Sequence, residues 1–382
     1  MKSALEGIFG GGFYLYNWFV QKTNIRGAFM KTLNAFMYGP KDLRLETVDI
    51  PELKPTQILV KVRASGICGS DVECYLGHSK EGRYDLGPYT PGHEWCGDVV
   101  AIGSGVISLK VGDRVTGECA NSCNRCEICK EGINNSYCTN WNEVGFMPTA
   151  PGGMGQYLVG EEQFCYKVPD SMTYVEGALV EPCSVAYYSI YGRSGYVGQA
   201  DDCVIFGAGP IGLFAATICK SAGAKVMIVD PVEFRRNMAL EVIGVDRAID
   251  PFNENVEEVV FAETDGQGAS FIVECTGSDF GVSTTVDIAK PHARIRFVGH
   301  SIGRKIGIEI GKAIWKGLNL QGSAGQPWFF TKTIKFMDRV KKSIDYSKFV
   351  TGYYPLEKIQ DGFNMAIDHK DKAIKVMIIM ED

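Results

Sequence analysis

Four cysteines stand close together in the sequence with the spacing of a metal site. Cys123, Cys126 and Cys129 are separated by two residues each, and Cys138 follows after eight more. Four thiolates at such spacing can form a tetrahedron around Zn²⁺, with bonds of about 2.3 Å and no open position for chemistry. The pattern therefore predicts a structural zinc site. An iron–sulfur cluster is a minor alternative, and Cys119 is interpreted as a bystander.

A second set of metal-ligating side chains is spread over three short motifs. Cys68 and Ser70 lie in GICGSD, His93 and Glu94 follow in PGHEWCG, and Glu181 stands in ALVEPCS. A thiolate, an imidazole and a carboxylate are suitable ligands for a zinc ion that keeps one position for water or substrate. Each motif alone is more typical of a turn or a capped loop. The prediction of a catalytic zinc therefore depends on the motifs occurring together.

The glycine-rich segment VIFGAGPIG follows an apolar run and opens a helical stretch, which is the context of a dinucleotide-binding turn. Gly207 permits a tight turn, Gly209 lets the backbone approach a pyrophosphate, and Gly212 lets helix and strand pack closely. The helix N-terminus then offers free N–H donors to the phosphates. Asp230, which is 18 residues beyond Gly212, stands where an acid accepts hydrogen bonds from the adenosine ribose. It favours NAD because its charge would repel the 2′-phosphate of NADP. The alternative is a glycine-rich turn without a ligand.

The elements that must position these residues differ between the two halves of the chain. Between 33 and 174, short apolar runs such as 58–67 and 98–106 alternate with Gly, Asp and Pro turns, which predicts a β-rich barrel or sandwich. From about 178, apolar runs alternate with helical stretches, which predicts βαβ units and a parallel sheet. The predicted strands there are 203–209, 225–230, 269–277, 294–300 and 372–380, and the predicted helices are 211–224, 234–244 and 331–343.

Composition limits the class of protein. The 382 residues favour two domains, and 45% hydrophobic with 22% charged residues is typical of a globular enzyme. A net charge of −6 argues against nucleic acid as a partner, and no apolar run reaches the ~18 residues of a membrane span. The odd count of 13 cysteines indicates a reducing compartment, and we expect the cytoplasm.

The first residues of the chain read as an extension. The apolar stretch 8–20 is interrupted by three glycines and an asparagine, and no small-residue cleavage pattern follows it, so a signal peptide is only a weak alternative. We expect residues 1–29 to precede the first domain, with Met30 as an alternative initiator.

The order of the motifs resembles the zinc-containing medium-chain dehydrogenase/reductases. From 30 to 382 the chain reads GICGSD, GHE, the four cysteines, VEP, GAGPIG, Asp230 with Arg235 five residues on, and ECTG at 274–277. Glu94 directly after His93, with Glu181 in ALVEP, is most similar to the sorbitol (polyol) dehydrogenase branch. The resemblance implies an α/β protein with the active site in the cleft between two domains. A GroES-like catalytic domain (30–180, completed by 323–382) would surround a Rossmann cofactor domain (181–322).

The resemblance also implies roles for single residues. Cys68, His93 and Glu94 would hold the catalytic zinc, with Glu181 near the metal either directly or through water. Ser70 would hydrogen-bond the substrate oxygen and relay its proton. The residues expected to contact the cofactor are Gly207, Gly209, Pro210, Ile211, Gly212, Asp230, Arg235 and Thr276.

Two positions depart from the family pattern. Eight residues separate Cys129 from Cys138, where most relatives have seven, and Glu73 stands where relatives often carry a proton-relaying histidine. Glu73 is interpreted either as a second relay member or as a surface acid, and His78 has no assigned place.

The sequence thus predicts two zinc ions, NAD and a small hydroxylated substrate that loses hydride to the cofactor. We expect a homodimer or homotetramer. The rival hypotheses are an amino-alcohol (threonine-type) dehydrogenase with the same motifs, and a non-catalytic cofactor-binding protein.

Overall fold

The computed structural model describes residues 31–79, 84–132, 135–192, 195–300, 303–326 and 328–381. The predicted extension 1–29 and the alternative start at Met30 lie outside these ranges.

The strands of the first half are short and mostly antiparallel. They are β1 (Lys31–Gly39), β2 (Asp42–Asp49), β3 (Gln57–Ile67), β4 (Glu94–Ile102), β5 (Arg114–Gly117), β6 (Ala120–Asn121), β7 (Asn142–Glu143), β8 (Tyr157–Glu161) and β9 (Cys165–Lys167). The strands of the second half are β10 (Asp202–Phe206), β11 (Lys225–Val229), β12 (Arg247–Ile249), β13 (Ala269–Glu274), β14 (Ala289–Phe297), β15 (Asn319–Gly322), β16 (Val350–Pro355) and β17 (Lys375–Ile379).

The helices lie mainly in the second half. They are α1 (Gly69–Leu76), α2 (Glu127–Lys130), α3 (Tyr174–Ala178), α4 (Val180–Tyr191), α5 (Pro210–Ser221), α6 (Glu233–Met238), α7 (Val256–Glu263), α8 (Asp279–Ile288), α9 (Ile310–Trp315), α10 (Phe330–Val340) and α11 (Ile359–Asp368). A single π turn, Ala239–Ile243, continues α6.

The β-rich half is built on a seven-stranded sheet that also takes in the end of the chain. Its strand order is β16-β17-β3-β4-β5-β9, and β8 pairs with the other part of β3. β17 runs antiparallel to β3, with Val376 opposite Ile67. The C-terminal strands therefore complete the sheet that carries GICGSD and GHE, as the resemblance implies.

The other half is a parallel six-stranded sheet with the order β12-β11-β10-β13-β14-β15. In chain order this is 3-2-1-4-5-6, the order of a dinucleotide-binding doubly wound sheet. Every residue of β13, ASFIVE, is buried, as expected of a strand with both faces covered. The predicted α/β fold with GroES-like and Rossmann parts is confirmed, whereas the predicted domain boundaries stay a prediction.

One apolar core joins the two halves of the chain. Phe214 of α5 packs edge-on against Phe349, with ring centroids 5.3 Å apart. Both rings belong to a buried cluster that also contains Met377 of β17 and Ile205 of β10. Burial of such aromatic side chains stabilises association of the two sheets.

All thirteen cysteines are free thiols. Within the described ranges, no helix has the length and apolar character needed to cross a membrane.

Candidate functional site

The four clustered cysteines converge in a lobe between β6 and β7. The sulfur atoms of Cys123, Cys126, Cys129 and Cys138 all lie within 4.8 Å of one another. Cys126 Sγ is 3.5 Å from Cys129 Sγ and 3.9 Å from Cys138 Sγ. Zn–S bonds of about 2.3 Å in a tetrahedron place sulfurs about 3.8 Å apart. The group therefore fits zinc, and Cys119, the expected bystander, lies outside it.

Backbone N–H groups around this lobe favour thiolates. The N–H groups of Cys123 and Asn140 each lie 3.3 Å from Cys138 Sγ, and the Cys126 N–H lies 3.4 Å from Cys123 Sγ. Backbone hydrogen bonds, from Cys129 first and then Thr139, lower the pKa of the Cys126 thiol to about 6. Because zinc binds thiolates, these backbone hydrogen bonds favour the form of Cys126 that binds the metal.

The second group is formed by Cys68, His93 and Glu94, whose ligand atoms also lie within 4.8 Å of one another. Cys68 directly follows β3 and is the N-cap of α1. Glu94 begins β4 opposite Gly66 of β3. A Cβ at Gly66 would lie 2.2 Å from Glu94 Oε2. Glycine at this position therefore makes room for the carboxylate.

The arrangement of Glu94 fits a cation. Its Oε1 accepts a 2.6 Å bond from Lys375 Nζ, while its buried Oε2 has no hydrogen-bond partner. Leaving a buried carboxylate oxygen without a partner is costly, and a zinc ion held with Cys68 and His93 would satisfy it. The donor set of thiolate, imidazole and carboxylate is that of a zinc site with an open position.

Two residues of this centre were not assigned from the sequence. Lys375 comes from β17; it also donates to the Ile67 carbonyl at 3.0 Å. Burial alone would lower the pKa of Lys375, but the Glu94 carboxylate raises it above its ordinary value. Asp71 accepts from the Cys68 N–H at 2.9 Å, and its other oxygen lies 4.0 Å from His93 Nδ1. Asp71 belongs to the motif GICGSD, and its position three residues after the predicted ligand Cys68 could have indicated a role at this centre. No such sequence pattern marks Lys375.

Glu181 lies beside this centre but outside the group of three. It is buried in the first turn of α4 and accepts a 2.6 Å hydrogen bond from Gln326 Nε2. Burial raises the pKa of Glu181 to about 7, and the nearby Glu94 adds to the shift while His93 opposes it. A carboxyl group with such a pKa can gain or lose a proton near neutrality.

Ser70 lies half-buried in the first turn of α1, two residues after Cys68. Glu73 is exposed on the same helix and pairs with His78, with 3.2 Å between Oε2 and Nδ1. The sequence did not assign a place to His78. In the structure it lies beside Glu73, the residue that stands where relatives often carry a histidine. The relay role of Glu73 stays a prediction.

The glycine-rich turn has the geometry expected of its three glycines. Gly207 has a φ of +92° at the end of β10, a conformation that favours glycine. A Cβ at Gly212 would lie 1.8 Å from the Gly207 carbonyl oxygen, whereas a Cβ at Gly209 would have nothing within 4 Å. Pro210 and Ile211 form the first turn of α5. The turn therefore packs closely on one side and leaves the backbone open where a pyrophosphate would bind.

Asp230 and Thr276, two further predicted cofactor residues, form hydrogen bonds in the loops around this turn. Asp230 is buried at the end of β11, and its carboxylate accepts from Ala208 N at 2.7 Å and Val232 N at 2.8 Å. Thr276 is exposed and its hydroxyl bonds the Glu274 carboxylate. Asp230 thus lies against the glycine-rich turn, and its contact with the adenosine ribose stays a prediction.

Arg235 contacts the C-terminal segment of the chain. Its guanidinium donates to the carbonyls of Lys370 and Ala373 at 2.8 and 2.9 Å. It therefore ties the parallel sheet to the C-terminal segment. The predicted contact with adenosine stays a prediction.

Comparison with known proteins follows the same division of the chain. Residues 54–170 match the family described as "Alcohol dehydrogenase GroES-like domain", and residues 210–342 match "Zinc-binding dehydrogenase". The chain is 30% identical to sorbitol dehydrogenase of Bacillus subtilis over 347 residues, which is 90% of this chain and 96% of that protein.

A second relative and a solved structure agree with this match. Scyllo-inosose 3-dehydrogenase of Thermotoga maritima is 38% identical over 280 residues, covering 63% of this chain and 69% of that protein. The crystal structure of 2R,3R-butanediol dehydrogenase from Bacillus subtilis aligns with a TM-score of 0.81 at 27% identity, covering 91% of this chain and 99% of that chain.

Proposed function

This chain belongs to the zinc-containing medium-chain dehydrogenase/reductase family, and we propose that it oxidises a secondary alcohol with neighbouring hydroxyl groups to a ketone. The substrate class is a polyol, sugar or cyclitol. The observation that carries the proposal is the group of half-buried Cys68 with buried His93 and Glu94, with a second buried carboxyl, Glu181, beside it. The names of the sorbitol, scyllo-inosose and butanediol relatives support the same class.

We propose that Cys68, His93 and Glu94 hold a catalytic zinc and that the four clustered cysteines hold a structural one. When bound, the catalytic zinc supplies Lewis acidity that lowers the pKa of the substrate hydroxyl. Ser70 accepts the hydroxyl proton and passes it toward solvent. The glycine-rich turn would hold the pyrophosphate of a nicotinamide cofactor, which would supply the hydride acceptor when bound.

NAD is proposed as the cofactor in place of NADP. Asp230 is buried against the turn that would carry the pyrophosphate, and its charge would lie near a 2′-phosphate. Comparing catalytic efficiency with the two cofactors tests this choice, and equal values would contradict it.

The proton path is proposed to continue from Ser70 to the Glu73–His78 pair at the surface. The two side chains are about half exposed, at 48% and 63%, so a proton that reaches them is released to water. Glu73→Gln should slow turnover and move the pH–rate profile without loss of metal. Wild-type behaviour at every pH would make Glu73 a surface acid.

A substrate panel separates the proposed function from its rivals. The purified protein is assayed with NAD and polyols, inositols, sugars, simple primary alcohols and amino alcohols including L-threonine. We expect the highest kcat/KM for a polyol or cyclitol. A maximum at L-threonine or at a primary alcohol would refute the substrate class, and no turnover with any alcohol would favour the non-catalytic alternative.

We propose that two copies associate through the edge of the parallel sheet. β15 is its terminal strand, and α9, directly before it, exposes Ile310, Ile314 and Trp315, the last at 92%. An edge strand beside exposed apolar side chains is typical of an interface. Trp315→Glu should lower the mass measured by light scattering to that of the monomer, and an unchanged mass would exclude this edge.

A further inference from the structure

A groove of about 370 Å³ lies between α4, α5 and α10, and its lining includes none of the metal-ligating residues or the glycine-rich turn. Tyr187 and Tyr191 of α4 and Phe336 of α10 line it. The ring centroid of Tyr187 is 4.9 Å from that of Tyr191 and 5.3 Å from that of Phe336. The groove lies within the range of roughly 300–1,000 Å³ that is usual for small-molecule sites.

Three cations line the same groove from one face of α10. Lys332, Lys335 and Arg339 are all exposed. The second and third lie three and seven residues after the first, so the three charges extend over about 10 Å of helix. The groove lining contains no acidic side chain. Within the described part of the chain, none of the three forms an ion pair with a carboxylate. Such a concentration of positive charge contrasts with the net charge of −6.

We propose that this groove, called here the α10 groove, binds an aromatic polyphosphate of the nucleoside triphosphate type. The ring would stack against Tyr187, Tyr191 or Phe336, since aromatic rings favour offset or edge contacts. The phosphates would follow the line of cations and form charge-assisted hydrogen bonds with them. Positive charge along about 10 Å of helix suits several linked phosphates better than a single carboxylate.

The α10 groove is separate from the dinucleotide turn. α5 begins at Pro210, beside that turn, and reaches the groove at its far end, where Ile218 and Ser221 contribute to the lining. The twelve residues of α5 span about 18 Å. NAD must nevertheless fill the dinucleotide turn during the experiment, because ATP can bind there as well.

The experiment is isothermal titration of the full chain with ATP in the presence of saturating NAD and without divalent metal. The test variant is Lys332→Gln/Lys335→Gln/Arg339→Gln. The control variant, Lys110→Gln/Lys342→Gln/Lys372→Gln, removes the same charge from exposed positions outside the groove. Circular dichroism and alcohol oxidation confirm that both variants are folded. Adenosine and inorganic triphosphate are titrated separately.

We expect one ATP per chain, weakened at least about tenfold in the test variant and less than about twofold in the control. Adenosine and triphosphate alone should each bind more weakly than ATP, because each lacks half of the contacts. Equal loss in the control would indicate diffuse electrostatic attraction and overturn the proposal. Triphosphate binding as tight as ATP, or no ATP binding at millimolar concentration, would also overturn it.

Discussion

The buried pair of Lys375 and Glu94 gives a test of whether Glu94 faces the metal. The two side chains are 3% and 1% exposed and 2.6 Å apart. Removing one partner of such a pair leaves an uncompensated buried charge, which costs about 3–5 kcal/mol of the free energy of unfolding. We therefore expect Lys375→Met to lower the stability of the metal-free protein by about that amount, measured by guanidinium unfolding.

Zinc should reduce this loss. If Glu94 Oε2 binds the metal, the dication supplies the positive charge that Lys375 no longer provides. The same variant titrated with zinc should then regain most of the lost stability, beyond the gain that zinc gives the wild type. Lys375→Met/Glu94→Gln removes both charges, so its metal-free form should be close to wild type in stability.

A surface ion pair serves as the control. Arg304 and Asp279 are 2.7 Å apart, but their side chains are 57% and 74% exposed, and such pairs contribute about 0–1 kcal/mol. Arg304→Met should therefore have little effect with or without zinc. An equal loss for Lys375→Met in metal-free and zinc-loaded protein would refute the assignment of Glu94 as a ligand. No loss in either form would refute the buried ion pair itself.

Three further predictions concern the lobe, the turn and the reaction. Cys126→Ser should lose one of two zinc ions by elemental analysis and unfold at lower temperature, because structural zinc contributes folding free energy, whereas Cys119→Ser should keep both. Gly212→Ala should destabilise the fold, since its Cβ would lie 1.8 Å from a carbonyl oxygen; Gly209→Ala, with nothing within 4 Å, should keep the fold and weaken NAD binding in a fluorescence titration. Gly212→Ala with wild-type stability would contradict the packing role. Ser70→Ala should keep metal and NAD but lower kcat by roughly 10²–10⁴-fold, and an unchanged kcat would exclude Ser70 from the proton path.

The sequence predicted many of the strands and helices, because each depends on a pattern of residues that are close together in the sequence. The predicted strand 58–67 is observed as Gln57–Ile67, and the predicted helix 211–224 as Pro210–Ser221. The predicted strand 98–106 is wrong in its limits, since β4 begins at Glu94 and ends at Ile102. A Cβ at Gly103 would lie 2.2 Å from the Lys54 carbonyl oxygen, so directly after β4 the chain passes close to the backbone of the loop between β2 and β3.

In the candidate site, the sequence predicted only those groups of residues that lie within short motifs. Four cysteines within sixteen residues predict their own grouping, and the structure brings their sulfurs together. Lys375 lies 281 residues from Glu94, and a single lysine in an apolar strand carries no signal of a buried partner. The spacing of Arg235 from Asp230 carries no signal of its contacts with the Lys370 and Ala373 carbonyls, because those residues lie more than 130 positions further along the chain.

The return of β17 to β3 has a consequence for the order of events during synthesis. A ribosome releases the motifs with the predicted metal ligands long before it makes Lys375. The strands of the parallel sheet lie between these two parts of the sequence, and they pair only with one another. That sheet can form before β17 pairs with β3, because distant pairings are slow to close. In that interval the part of β3 from Ala64 to Ile67 has an unpaired edge, and Glu94 lacks the charge of Lys375. A chain stalled before residue 375 would therefore contain every strand of the parallel sheet while Glu94 still lacked its Lys375 partner.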